Sequence, residues 1–379
     1  MDLQGEGCSS SSNSNDEPPN KKSKVSHLVS EVIGVYGCKE HEDTNYISML
    51  PHEILVNIFK YLDFKTISSC ATLCKSFYKA SNDSTLYSNV TLKYTMEKGY
   101  LEAYTAKISH PKKLFVEYKF FDKRQQIEDY TEFNKYVTTV IKKYGQFLNF
   151  LHFESCRSEE VLQLLSECPN LTSLSFYRCK SSFEKLPTVQ NLTRLRFVAS
   201  DVPNTVLNET LKHNLNLRII SLFDNINLYV NGIAETIGEY NRNIEELYFC
   251  EKRRVRAKGM RALARCNKLK VLELTGGPYQ CDPEDSLQQM AAGCSLLERL
   301  SIYGWKGIND DNLLPMLQCC TQLKELDLRG IDITIKSCRE AALSLPKLQT
   351  LDVYKCNRIK KTQLLKLQRD FQEINIVTS

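Results

Sequence analysis

At 379 residues, 42% hydrophobic and 25% charged, the chain has ordinary globular composition and more length than one usual domain needs. A formal charge of +5 is too small at this length to select a nucleic acid or a membrane surface as partner, and the sequence carries neither an apolar run of about 18 residues nor a basic-then-apolar leader. The 15 cysteines are spread over a long chain without an export signal, so reduced thiols in an intracellular protein are expected rather than a disulfide framework.

Residues 1–44 combine a serine and asparagine cluster with Pro18, Pro19 and the lysines Lys21, Lys22 and Lys24, and a disordered tail is expected because so little there can be buried. The run PPNKKSKV is similar to a nuclear-import signal, which needs exposed lysines that an acidic receptor groove can read. The competing reading is a solvated charge run, and the expected location is the nucleus, the cytoplasm or both. Cys38 and His41 stand at metal-ligand spacing, but no second pair accompanies them, and no metal or other cofactor is expected.

Within residues 45–93 the segment LPHEILVNIFKYLD repeats apolar residues at helical spacing: Leu50, Ile54, Leu55, Ile58, Phe59 and Leu62. This predicts an amphipathic helix with Pro51 at its start and Asp63 at its end. A second helix is predicted over Thr66 to Ala80, through Ile67, Cys70, Ala71, Leu73, Cys74 and Phe77, and Asn82-Asp83-Ser84 reads as a turn before Leu86-Tyr87. Residues 94–147 are less regular. A strand at 114–118 and a helix at 133–144 are predicted there, read as irregular opening repeats.

From Leu148 to the end the chain repeats itself. The windows LNFLHFESC, LTSLSFYRC, LTRLRFVAS, LRIISLFDN, IEELYFCEK, LKVLELTGG, LERLSIYGW, LKELDLRGI and LQTLDVYKC recur about every 25 residues. Stretches such as DDNLLPMLQCC between them have helical apolar spacing, so each unit is predicted to be a strand followed by a helix. Strands sit about 4.8 Å apart and helices about 10 Å apart, which predicts a curved solenoid with its strands on the concave side. Cys168, Cys266, Cys294 and Cys320 each precede a window by three residues, and Cys156, Cys179 and Cys356 close windows. Their periodic placement makes them packing residues.

The segment LPHEILVNIFKYLD, then TISSCATLCKSFYKAS, then DSTLYSNVTL resembles the F-box, a three-helix module that docks on the Skp adaptor of SCF ubiquitin ligases. The step Leu73-Cys74-Lys75 and the pair Leu86-Tyr87 fit that family's pattern. Phe77 and Tyr87 stand near positions where the family commonly has tryptophan. The windows resemble the cysteine-containing leucine-rich repeats that commonly follow an F-box, best in the unit from Leu297. The resemblance implies an α/β protein, an F-box followed by a leucine-rich-repeat solenoid. It also implies the role of substrate receptor in a cullin-RING ligase, with cullin and RING subunit held through the adaptor and no catalytic residues in this chain.

Two other roles stay open: a repeat scaffold that only binds proteins, and an F-box protein working with the adaptor outside a ligase. The expected adaptor-binding residues are Leu50, Pro51, Ile54, Leu55, Ile58, Phe59, Leu62, Leu73 and Cys74. The substrate, a protein, is expected on the strand positions that alternate with the buried leucines, at Tyr177, Phe223, Tyr303, Tyr354 and Arg329.

Overall fold

The protein is described from a computed structural model over residues 46–118, 130–179, 183–225, 227–250, 255–275 and 285–378. Two compact units meet at the Tyr87–Ser88 bond. In the first, helices α1 (His52–Phe59), α2 (Phe64–Ala71) and α3 (Lys75–Ser81) precede a 3-10 turn, Ser84–Tyr87. The single helix predicted over Thr66 to Ala80 is thus two. The break falls at Leu73, and Cys74 adopts an extended backbone whose sulfur accepts from the Phe77 amide at 3.5 Å, which starts a new helix without any proline or glycine. At the start of α2, Asp63 accepts from the Thr66 amide at 2.8 Å, a strong N-cap.

Leu55, Val56, Phe59, Ile67 and Ala80 form the small core of this unit, with Leu50, Leu62, Cys70, Phe77 and Leu86 packed around it. Phe59 and Phe77 meet edge to face at 5.5 Å. Tyr87 is buried, and its hydroxyl donates to the Ser81 carbonyl at 2.6 Å, satisfying the polar end of an otherwise apolar contact.

Among its described residues the second unit holds one parallel sheet of 12 strands in sequence order. Its strands are β1 (Asn89–Lys93), β2 (Lys113–Glu117), β3 (Phe150–Glu154), β4 (Ser173–Tyr177), β5 (Arg194–Val198), β6 (Ile219–Phe223), β7 (Glu246–Cys250), β8 (Val271–Leu274), β9 (Arg299–Ser301), β10 (Glu325–Asp327), β11 (Thr350–Asp352) and β12 (Asn375–Val377). Because β1 pairs with β2, residues 89–93 belong to the solenoid and not to the helical unit. The stretch read as irregular opening repeats also continues the same register: Leu114 faces Leu151, and Val116 faces Phe153.

One leucine column, from Val90 through Leu151, Leu195, Leu247 and Leu300 to Ile376, runs in register across the sheet and is buried throughout. A lone repeat exposes these side chains, whereas stacked repeats share one continuous core. Helices cover that face. They include α4 (Lys98–Lys107), α5 (Thr131–Tyr144), α6 (Glu159–Gln163), α7 (Asn204–His213), α8 (Val230–Tyr240), α9 (Ala257–Leu263), α10 (Ser286–Gly293), α11 (Asp310–Leu317), α12 (Ile335–Ser344) and α13 (Lys361–Asp370).

Residues 183–193, which lead into β5, carry no helix. Phe183, Leu186 and Val189 are buried there at three-residue spacing around Pro187, which cannot supply a helical donor. An aromatic column from the strands packs against this segment through Phe183. Phe153, Phe176 and Phe197 stack at 5.8 Å and 4.8 Å, and Phe183 meets Phe176 edge-on at 5.4 Å.

Cys168, Cys266, Cys294 and Cys320 share their place in the repeat with Asn214 and Asn241, and Cys294 does the same work as Asn241. Asn241 donates to the carbonyls of Leu211 and Asn214 at 3.0 Å and 3.1 Å; Cys294 donates to those of Leu263 and Cys266 at 3.3 Å and 3.5 Å. Each reaches back to the end of the previous helix: Asn241 supplies the Leu211 carbonyl with a donor, and the other three carbonyls gain a second one beside the backbone amides of Leu217, Cys266 and Leu269. Burial pushes the thiols of Cys168, Cys266 and Cys320 up to about 12, so they stay protonated.

Replacing Asn241 by valine is expected to strand the Leu211 carbonyl, at a cost of about 1–3 kcal/mol, while the Asn214 carbonyl keeps the Leu217 amide. Asn241→Cys is expected to cost less, since it keeps a donor and removes an amide oxygen that is itself unpartnered. Urea unfolding of the two variants measures the difference, and equal losses would contradict the shared role.

Candidate functional site

Helix α1 is apolar on two sides. Leu55, Val56 and Phe59 turn inward at 1%, 5% and 2% exposure, while Ile54 and Ile58 stand outward at 45% and 41%. The outward pair continues to Tyr61, three residues beyond Ile58, and Leu73, Tyr78 and Met49 are also exposed. Single exposed apolar side chains are normal, but this many on so small a unit form an apolar surface of the kind found at protein contacts.

The expected adaptor residues are therefore divided by the fold. Leu55 and Phe59 are core residues, unavailable to any partner, and their expected docking role is corrected on that ground. Leu50 and Leu62 lean on the same core. Pro51, Ile54, Ile58 and Leu73 are exposed, and half-buried Cys74 is occupied as a cap. Sequence reasoning missed Tyr61, although it follows Ile58 at the helical interval i, i+3. The N-terminus of α1 is held by His52, whose Nε2 lies 3.0 Å from Asp83 Oδ2. A hydrogen bond from the Thr85 side chain, and then that from His52, holds the Asp83 carboxyl below its usual range.

On the second unit the sheet face opposite the helices is open, and its side chains fall in three rows across the strands. The row expected to touch a substrate is in register, from Glu154 to Tyr177, Val198, Phe223 and Cys250. Tyr354 is exposed and Tyr177, Phe223 and Tyr303 are half-buried. Arg329 is already committed: it pairs with Asp327 at 2.7 Å and Asp352 at 3.5 Å and lies over the Tyr303 ring at 5.0 Å. Phe223 is likewise partly covered, by Tyr248 stacked at 6.1 Å and Arg196 above it at 5.6 Å.

The middle row holds His152, Ser175, Arg196, Ser221 and Tyr248 in register. His152 Nδ1 lies 3.1 Å from Ser175 Oγ. Burial, aided by the nearby charge of Arg196, pushes its pKa down to about 4, which leaves it neutral at neutral pH. Toward the C-terminal repeats this face turns acidic through Glu246, Glu273, Asp327 and Asp352.

Lys21, Lys22, Lys24, Cys38 and His41 lie outside the described residues. Among the described residues no group of three or more His, Cys, Asp or Glu side chains is placed to hold a metal ion, and no helix is long and apolar enough to cross a membrane.

Residues 47–93 match the F-box-like family model, a span that contains the outward stripe of α1. Among solved structures, an internalin from Listeria monocytogenes str. 4b F2365 is similar at 13% identity, over 83% of this chain and 93% of that chain, with a TM-score of 0.49.

Proposed function

We propose that this chain, which joins an F-box-like segment to a leucine-rich-repeat solenoid, is the non-catalytic, substrate-recruiting subunit of an SCF-type cullin-RING ubiquitin ligase. The observation that best supports this reading is the exposed stripe Ile54, Ile58 and Tyr61 inside a segment of the kind that binds Skp adaptors. The adaptor brings the cullin and the RING subunit. The open face of the sheet holds the target protein, and the chain's contribution to rate is proximity, since tethering a lysine near a charged thioester raises its effective concentration.

Affinity purification of the tagged full chain under proteasome inhibition tests this. Adaptor, cullin and RING subunit are expected together, with ubiquitinated targets. Adaptor without cullin would favour a role outside a ligase, and absence of both would leave a protein-binding scaffold.

The lysine run is read as an import signal. Changing Lys21, Lys22 and Lys24 to alanine is expected to move a fluorescent fusion of the full chain toward the cytoplasm, and an unchanged distribution would reduce the run to solvated charge.

A further inference from the structure

Several cations of the open face are neutralised within the protein. Lys93 pairs with Glu117 at 2.6 Å, Arg299 with Glu325 at 2.7 Å and Arg329 with Asp327 at 2.7 Å. Arg194 and Arg196 differ. Both are exposed, they point to the same side of β5, and no carboxylate among the described residues stands within ion-pair distance of either. Arg196 is held in place by its stacking over Phe223 at 5.6 Å, so its guanidinium is ordered before anything binds.

The ground around them is shaped for a chain. Ser175 and Ser221 flank Arg196 in register, and Ser173 flanks Arg194, so each guanidinium has a small side chain beside it. Tyr177 and Val198 form an apolar wall on one side of them, with Phe223 beneath Arg196, and Ile219 part of a wall on the other. Neighbouring His152 stays neutral and adds no charge to that of the two guanidiniums, while at the border of the site Arg178 lies over the Tyr177 ring at 4.8 Å, next to Glu154.

We infer that the open face over β4 to β6 binds an extended acidic segment of a partner protein, Arg194 and Arg196 each receiving one carboxylate and the adjoining wall an apolar side chain. This rests on the reading of the open face as the target-binding surface and names the chemistry of the target. Two residues along a strand span about 6.6 Å, so the two guanidiniums match carboxylates at alternate positions of an extended segment, and a planar fork suits each carboxylate. The acidic row from Glu246 onward repels a longer polyanion, which favours a short acidic peptide over a nucleic acid.

The test is selection of a displayed random dodecapeptide library on the full-length chain and on its Arg194→Glu/Arg196→Glu variant. The wild type is expected to enrich peptides with Asp or Glu at alternate positions beside an aliphatic or aromatic residue. A synthesised winner should bind the double variant roughly a hundredfold more weakly, about tenfold for each arginine, and should weaken as salt rises. Both arginines are exposed, so the fold should survive, and an Arg194→Gln/Arg196→Gln variant with smaller losses guards against reversal artefacts.

Winners lacking acidic residues, acidic winners that bind the variants equally well, or no enrichment at all would overturn the inference. So would an arginine-dependent preference for a phosphoserine peptide or a single-stranded oligonucleotide over the acidic winner. Adaptor capture is scored on the same proteins. Its loss in the wild type would remove the ligase reading and leave the acidic-segment site standing, whereas normal adaptor capture with any overturning result would do the reverse.

Discussion

Ile58→Asp is expected to abolish capture of the Skp adaptor while leaving the thermal melt of the chain unchanged, and Phe59→Ala, one residue along, is expected to lose both. The contrast follows from burial. Ile58 is 41% exposed and Phe59 2%, so the aspartate is solvated in the free protein and becomes costly only when a partner covers it. Desolvating an unpaired carboxylate costs several kcal/mol, enough to weaken binding by at least about a hundredfold.

Phe59 instead fills the small core with Leu55 and Ile67 and meets Phe77 edge-on. Its removal costs about 3–5 kcal/mol, a large share of what so small a unit holds. Binding of purified adaptor to each full-length variant, with circular dichroism and limited proteolysis within residues 46–87, reads both effects. A folded Ile58→Asp protein that keeps wild-type adaptor affinity would remove the docking surface from α1.

The repeats were legible because their signal is summed over the whole array. Every window places two apolar residues at strand spacing, and the register of the sheet follows those windows from Leu151 to Leu351. The opening strand was not. Val90 and Leu92 are buried strand residues, but NVTLK alone is too short an alternation to separate from the helical segment before it.

Within α1, an eight-residue helix with apolar residues at adjacent positions has two stripes, and periodicity cannot tell which one the protein covers itself. The break before Cys74 was hidden for a related reason, since Leu73 continues a helical apolar pattern yet is 71% exposed. Pro187 was a visible sign that the repeat leading into β5 lacks a helix. The shared role of Cys294 and Asn241 emerges only when the carbonyls they bond are in view.

Gly293→Ala is expected to destabilise the solenoid, although in an isolated helix alanine is the better residue by about 1 kcal/mol. The reason lies between repeats: a Cβ on Gly293 would stand 2.0 Å from the backbone carbonyl oxygen of Ala264, and one on Gly238 would stand 2.1 Å from that of Ala262. Backbone cannot step aside as a side-chain tip can, so α8, α9 and α10 must move apart. Overpacking of this kind costs about 1–3 kcal/mol.

Separating the helices while the strands keep their hydrogen bonds also tightens the local curvature of the sheet, because the helical layer widens and the strand layer does not. Trp305, the sole tryptophan, is 1% exposed in the repeat that follows α10 and reports on this region by fluorescence. Its unfolding midpoint in urea should fall for Gly293→Ala, with Gly238→Ala behaving alike by circular dichroism. In a solenoid each repeat leans mainly on its neighbours, so Arg194 and Arg196 on β5 should keep their affinity for an acidic peptide in the Gly293→Ala protein. A midpoint equal to or above wild type would show that the repeats can spread there without loss, and that glycine at these helix contacts does not set the spacing.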